Sequence, residues 1–192
     1  MERSDEEIMR LYQSGDSEGM SHIFQRYKIR ILNFCFGLLG NRADAEEAAA
    51  DVFLALVANR NSYDSNRTFS TWIYTIARNK CVNRIRKRKN IISLWISSED
   101  GSDGEMLDIP DSNDHSRDSL IKKEISLNVR RAIAKLPHEQ KEAVVLRQYH
   151  GFSYQQISEI LDCSLEKVKI LIFRAKEQLR VELVSFVKEE QL

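Results

Sequence analysis

The chain has 192 residues with 29 basic and 29 acidic side chains, four histidines and three cysteines, a size that suits one or two small domains. No apolar run approaches the ~20 residues that cross a bilayer, and the polar, acidic opening MERSDEEIMR does not read as a secretory leader. Cys35, Cys81 and Cys163 stand far apart, and His22, His115, His138 and His150 show no ligand spacing. That pattern argues against a disulfide frame, a metal centre or Cys/His catalysis, and for reduced thiols in a cytosolic protein. No cofactor and no small-molecule substrate are expected.

Charge is neutral in sum but segregated. Residues 1–77 carry 8 basic and 11 acidic groups, residues 78–89 carry seven basic and none acidic, residues 90–120 carry one and eight, and residues 121–192 carry 13 and 10. Blocks of opposite sign give a directional field, so basic segments can meet a polyanion while the acidic one is held elsewhere.

Two prolines and seven glycines leave almost the whole chain free to be helical, and an all-α fold is expected. Glu6 to Tyr12 and Ser21 to Leu39 are amphipathic, the second through Ile23, Phe24, Tyr27, Ile31, Phe34 and Leu38, with Gly40-Asn41 as its stop. Asp44 and Glu47 have capping-box spacing and open a helix through Ala48, Val52, Phe53 and Leu56 to about Asn59. A polar loop, Arg60 to Thr68, leads into the most informative stretch, Ser70 to Lys89. Here Ile73, Ala77, Cys81 and Arg84 follow one helical row, and Trp72, Ile76, Asn79, Asn83 and Arg86 follow another. An aromatic, two amides and a guanidinium in one row, flanked by cations, suit stacking on bases, bonding to their edges and neutralising phosphates.

From Asn90 to Arg117 helical periodicity dissolves into Ser, Asp and Gly, the composition of a linker, with the apolar run Ile91–Ile96 at its start. Helical pattern returns with Ile121, Ile125, Val129, Ile133 and Leu136, closed by Pro137, and continues from His138 to Tyr149. Ser153 and Gln156 form a capping box for a short helix, Tyr154 to Leu161. A three-residue turn follows, and Ser164 caps a last helix with Val168, Leu171, Ile172, Ala175, Leu179 and Leu183 inside. This is helix-turn-helix spacing, and Glu166, Lys167, Lys169, Ile170, Phe173 and Arg174 face outward on its second helix, where a major groove would be read.

The segments YKIRILNFCFGLLGNRADAEEAAADVFLAL, FSTWIYTIARNKCVNRIRKRK, LPHEQKEAVVLRQYHGFSYQQISEILDCS and VKILIFRAKEQLR resemble conserved regions two and four of the extracytoplasmic-function (ECF) group of bacterial sigma factors. The resemblance implies two helical domains, 1–90 (region 2) and 121–192 (region 4), joined by an acidic flexible linker, 91–120. It implies a non-enzymatic subunit that binds the β′ and β subunits of RNA polymerase core, recognises −10 and −35 promoter DNA and assists strand separation. A cytoplasmic place, at times held to the membrane by an anti-sigma factor, goes with that role.

Residue by residue, the resemblance puts core polymerase on Asp44, Glu47, Asp51, Val52, Phe53 and Leu56. Ala50 stands where the family commonly has Gln. The −10 element falls to Tyr63, Asn66 and Arg67 in the loop and to Trp72, Asn79, Lys80, Asn83, Arg84, Arg86, Lys87 and Arg88 on the basic helix. The −35 element falls to Tyr154, Ser164, Glu166, Lys167, Lys169, Ile170, Phe173 and Arg174. Val168-Lys169-Ile170-Leu171-Ile172 departs from the usual Val-Lys-Ser-Arg-Leu, so the usual −35 sequence does not carry over from the resemblance. Eight acids between Glu99 and Asp118 are expected, by the same resemblance, to follow the RNA-exit path as a charge mimic; the alternative is a solvated spacer whose charge only keeps it extended. The competing reading is a free-standing helix-turn-helix regulator, which needs neither the Asp44–Leu56 helix nor the aromatic–amide row.

Overall fold

A computed structural model describes the backbone of residues 3–95 and 127–189 and the side chains of 3–88 and 127–184. The linker acids lie outside the described residues. The first helix, α1 (Asp5–Gln13), starts with a capping box at Ser4 and Glu7, which the sequence reading had not located. α2 (Glu18–Leu39) ends at Gly40, whose φ of +79° only a residue without a side chain adopts readily and whose N–H closes on the Phe36 carbonyl.

α3 (Arg42–Ala58) corrects the expected cap. Asn41, not Asp44, closes the helix start, its Oδ1 accepting from the Asp44 N–H at 2.8 Å while its Nδ2 donates to the Asp44 carboxylate at 2.5 Å. Both residue types cap well. Asn41 has the place because it follows directly on the left-handed turn at Gly40.

A single 3₁₀ turn, Arg60–Ser62, precedes α4 (Phe69–Trp95). α4 therefore runs past the expected boundary at residue 90, since Asn90-Ile91-Ile92-Ser93-Leu94-Trp95 contains neither Gly nor Pro to stop it. Around it α1, α2 and α3 close a bundle on Tyr27, Ile31, Phe34, Leu56, Phe69, Ile73 and Tyr74. Asp5 ties α1 to α2 through Tyr27 Oη (2.5 Å) and Arg26 Nη1 (2.6 Å), and Glu6 accepts from the Phe69 N–H at 3.0 Å.

The C-terminal unit comprises α5 (127–134), α6 (His138–Gln148), α7 (Tyr154–Leu161) and α8 (Leu165–Glu189). Ser153 and Gln156 form the expected box, Asp162 turns the chain at φ +52°, and Ser164 Oγ accepts from the Lys167 N–H at 3.2 Å. Val168, Leu171, Ile172 and Ala175 are buried as the periodicity required.

The two units do not stand apart. α7 packs on α4 and α6 on α2, and the buried residues of both form one continuous apolar core. Tyr74 lies between the rings of Phe34 (5.1 Å), His150 (5.0 Å) and Phe152 (4.7 Å). Glu142 of α6, 1 % exposed, accepts from Arg78 of α4 at 3.0 Å. A sequence read as two beads on a tether carries no signal for this seam, because its partners are 64 to 76 residues apart.

Asn41→Ala should cost about 1 kcal/mol by urea titration, the usual value of an N-cap, and Asp44→Ala clearly less.

Candidate polymerase-docking and nucleic-acid interfaces

α3 turns one row inward and one outward. Val52, Leu56 and Phe53 are buried, so the expectation that they meet polymerase is corrected: they are bundle core. The outward row is Glu47, Ala50, Asp51, Leu54 and Val57, with Leu54 67 % exposed. Leu54 and Val57 were overlooked in the sequence, although the spacing 47–50–54–57 is itself a helical row. Exposed Phe24 on α2 packs edge-on against Phe53 (4.9 Å) and extends this surface. Asp44, half-buried, belongs to the cap pair described above.

The loop before α4 is built on a buried floor. Tyr63 is buried, its ring 5.6 Å from Phe69 and 5.1 Å from Trp72, and its hydroxyl donates to the Arg67 carbonyl at 2.6 Å. Burial pushes that phenol up to about 12. Tyr63 therefore supports the loop instead of offering a ring to DNA, which corrects its assignment. Asn66 and Arg67 stay exposed in a turn closed by Asp64, which accepts from the Asn66 N–H at 2.9 Å. Gln13 of α1, which the sequence reading missed, donates to the carbonyls of Arg60 (2.8 Å) and Tyr63 (2.9 Å).

On α4, Asn79, Asn83, Arg86, Lys87 and Arg88 are exposed, Trp72 and Lys80 half-buried. Arg84 departs from them. Its guanidinium donates to Glu47 (2.7 Å) and Asp51 (2.9 Å) of α3, two acids assigned to polymerase. Hydrogen bonding to Glu47 first, then Asp51, holds it above the usual arginine range. Arg84 is a clamp between two helices, and its assignment to DNA is corrected on that ground.

In the C-terminal unit Ser164, Glu166, Lys167, Lys169, Ile170, Phe173 and Arg174 are exposed, with Ile170 49 % and Phe173 67 % open. Ser164 spends its hydroxyl on the cap. Lys167 bonds Glu139 at 2.8 Å, which raises its ammonium above the ordinary range. Tyr154 is half-buried beneath the Arg147 guanidinium, 5.2 Å from the ring centre.

The two units match known protein families in chain order. Residues 23–91 match the model of Sigma-70 region 2, and residues 126–179 match that of Sigma-70 region 4. The chain is 34% identical over 172 residues to the ECF RNA polymerase sigma factor SigW of Bacillus subtilis, covering 88% of this chain and 91% of that one. Its fold is shared with the sigma factor RpoE solved with the anti-sigma factor NepR from Bartonella quintana (TM-score 0.69, 21% identity, 85% and 95% of the two chains). It is shared equally with CnrH solved with the cytosolic domain of CnrY (TM-score 0.70, 18% identity, 95% and 99%). These two regions define an RNA polymerase sigma factor of the sigma-70 type, and the chain belongs to the ECF group. No described helix is long and apolar enough to cross a membrane.

Arg84→Ala should lower stability by roughly 1 kcal/mol, the pair being too exposed for more, whereas Arg86→Ala should leave the urea midpoint within about 0.5 kcal/mol. Arg86→Ala should instead weaken promoter binding by the polymerase complex across sequences and reduce its salt slope by about one.

Proposed function

We propose that this sigma factor docks on polymerase core through the outer row of α3 (Glu47, Ala50, Asp51, Leu54, Val57) and handles −10 DNA with the exposed row of α4. The observation that carries this reading is the placement of those two rows on adjacent helices of one rigid bundle, so that docking aims the basic helix. Asn66 and Arg67 edge the loop that takes an unstacked base. Trp72, Asn79 and Asn83 face the strand, while Arg86, Lys87 and Arg88 neutralise phosphates. Extracting a base costs a few kcal/mol, which stacking and edge bonds offset.

The −35 element falls to the start of α8, with Lys169 and Arg174 on phosphate or base edges and Ile170 against a thymine methyl. Residues 1–95 form the −10 unit and residues from 127 the −35 unit. The chain acts without catalysis of its own, in the cytoplasm. One solved neighbour was captured with an anti-sigma factor and the other with the cytosolic domain of CnrY, and an anti-sigma factor is proposed here too.

The test mixes the chain with polymerase core and scores transcripts from a defined promoter. Leu54→Asp should weaken core binding at least tenfold with the fold intact, as loss of an interface anchor does. Asn79→Ala should reduce permanganate-reactive thymines at the start site more than it reduces initial binding. Tight, sequence-specific duplex binding by the pure chain, without core, would favour a free-standing regulator instead.

A further inference from the structure

One end of the N-terminal bundle holds a cleft that the amide row of α4 does not use. α2 stops there, α3 starts there and α4 passes alongside, so Leu39, Asp44, Arg84, Ile85, Lys87 and Arg88 line a volume of about 360 Å³. That size falls within the range of small-molecule sites. Arg84 turns toward α3, where it meets Glu47 and Asp51. Arg86, in the row that carries Asn79 and Asn83, stands two positions from both Arg84 and Arg88, which turns it about 200° away from them. The cleft therefore lies behind the promoter-reading row, on the side of α4 that a duplex seated on that row does not reach.

Its lining sorts into two kinds of surface. Leu39 and Ile85 are half-buried and apolar, and together they can cover one face of a flat ring. Lys87 and Arg88 are exposed cations, and no acceptor among the described residues is bonded to them. Arg84 spends its two Nη groups on Glu47 and Asp51, which offset its charge, yet its Nε is buried with no hydrogen-bond partner. A buried donor left over in a folded chain is uncommon, and it points to an acceptor that the chain itself does not supply. The first turn of α3 adds the positive end of a helix dipole.

Asp44 is the one acid of the lining. Asn41 Nδ2 holds its Oδ2 at 2.5 Å, so Oδ1 remains for another donor. A carboxylate here disfavours a ligand that is phosphate throughout and suits one whose far end carries N–H groups. A dianionic or trianionic end, a flat apolar middle and an N–H edge are the three parts of a nucleotide. The two apolar side chains call for the larger of the two ring systems.

We propose that this cleft binds a purine nucleoside diphosphate. Its phosphates meet Lys87, Arg88 and the Arg84 Nε, its ring lies across Leu39 and Ile85, and its base edge donates to Asp44. Lys87 and Arg88 are also the cations assigned to promoter phosphates, so an occupied cleft withholds two of them from DNA. That consequence rests on the promoter-reading role of α4, whereas the site itself does not.

Titration calorimetry of the full chain with GDP should give one site. Inorganic pyrophosphate should bind about tenfold more weakly, because it buries no ring. Arg88→Ala changes an exposed side chain and should weaken GDP and pyrophosphate alike. Ile85→Trp places an indole in the cleft and should abolish GDP binding. Saturating GDP should also lower the salt slope of promoter binding by the polymerase complex by about two, one for each cation withheld, and should have no effect on the Ile85→Trp complex.

No GDP binding by the wild type up to about 1 mM, where affinity is too weak for a built site, would overturn the proposal. Equal affinity for GDP and pyrophosphate would overturn it too, as would GDP binding that survives both substitutions. If Ile85→Trp instead weakened promoter binding as Arg86→Ala does, the cleft would belong to DNA and not to a nucleotide. GDP binding that meets every expectation, in a chain that directs no initiation with core, would keep the site and remove the promoter role.

Discussion

A carboxylate that is 1 % exposed cannot stand alone, and Glu142 takes a guanidinium from the other half of the molecule, with His138 of its own helix 3.3 Å away. Leaving that charge buried and unpaired would cost several kcal/mol. The position of α6 against the N-terminal bundle is fixed accordingly, and α7 and α8 follow, because they pack on α6. Tyr74 performs the same service for the loop after α6, holding His150 and Phe152 against its ring. The arrangement of the two halves thus hangs in part on polar groups that each borrows from the other.

The same economy operates inside the N-terminal bundle. Arg84 spans from α4 to α3, so Glu47 and Asp51, if α3 docks as proposed, have two suitors, the clamp within the chain and whatever basic surface arrives from outside. A partner that drew these acids away would loosen α3 from α4 in the middle of the basic block, and the two proposed roles would in this way be mechanically joined.

Much of this was legible beforehand. The helices, the Ser153 box and the outward row of α8 follow from spacing, because a period of 3.6 and a cap are local properties. Less legible was the choice between neighbours of equal merit: Asn41 and Asp44 are both good caps, and the backbone turn at Gly40 decided between them. Apolar composition misled at Val52, Phe53 and Leu56, because α3 carries apolar groups on two faces and only packing shows which one is covered. Arg84 ends the very row (Ile73, Ala77, Cys81) that the sequence marks as inward, a hint that its charge obscured. The seam was wholly hidden, since a tether of Ser and Asp says nothing about what its ends touch.

Gln13 carries a consequence of a different kind. Its amide reaches from the first helix to two carbonyls of the loop that precedes α4. Each residue held in one backbone state forgoes about 1–2 kcal/mol of conformational entropy. Here that ordering is met during folding, so the loop before α4 is already shaped in the free chain. On the role proposed for this loop, preorganisation of this sort would show itself in how quickly a flipped base is trapped, with Gln13 acting from behind the rim.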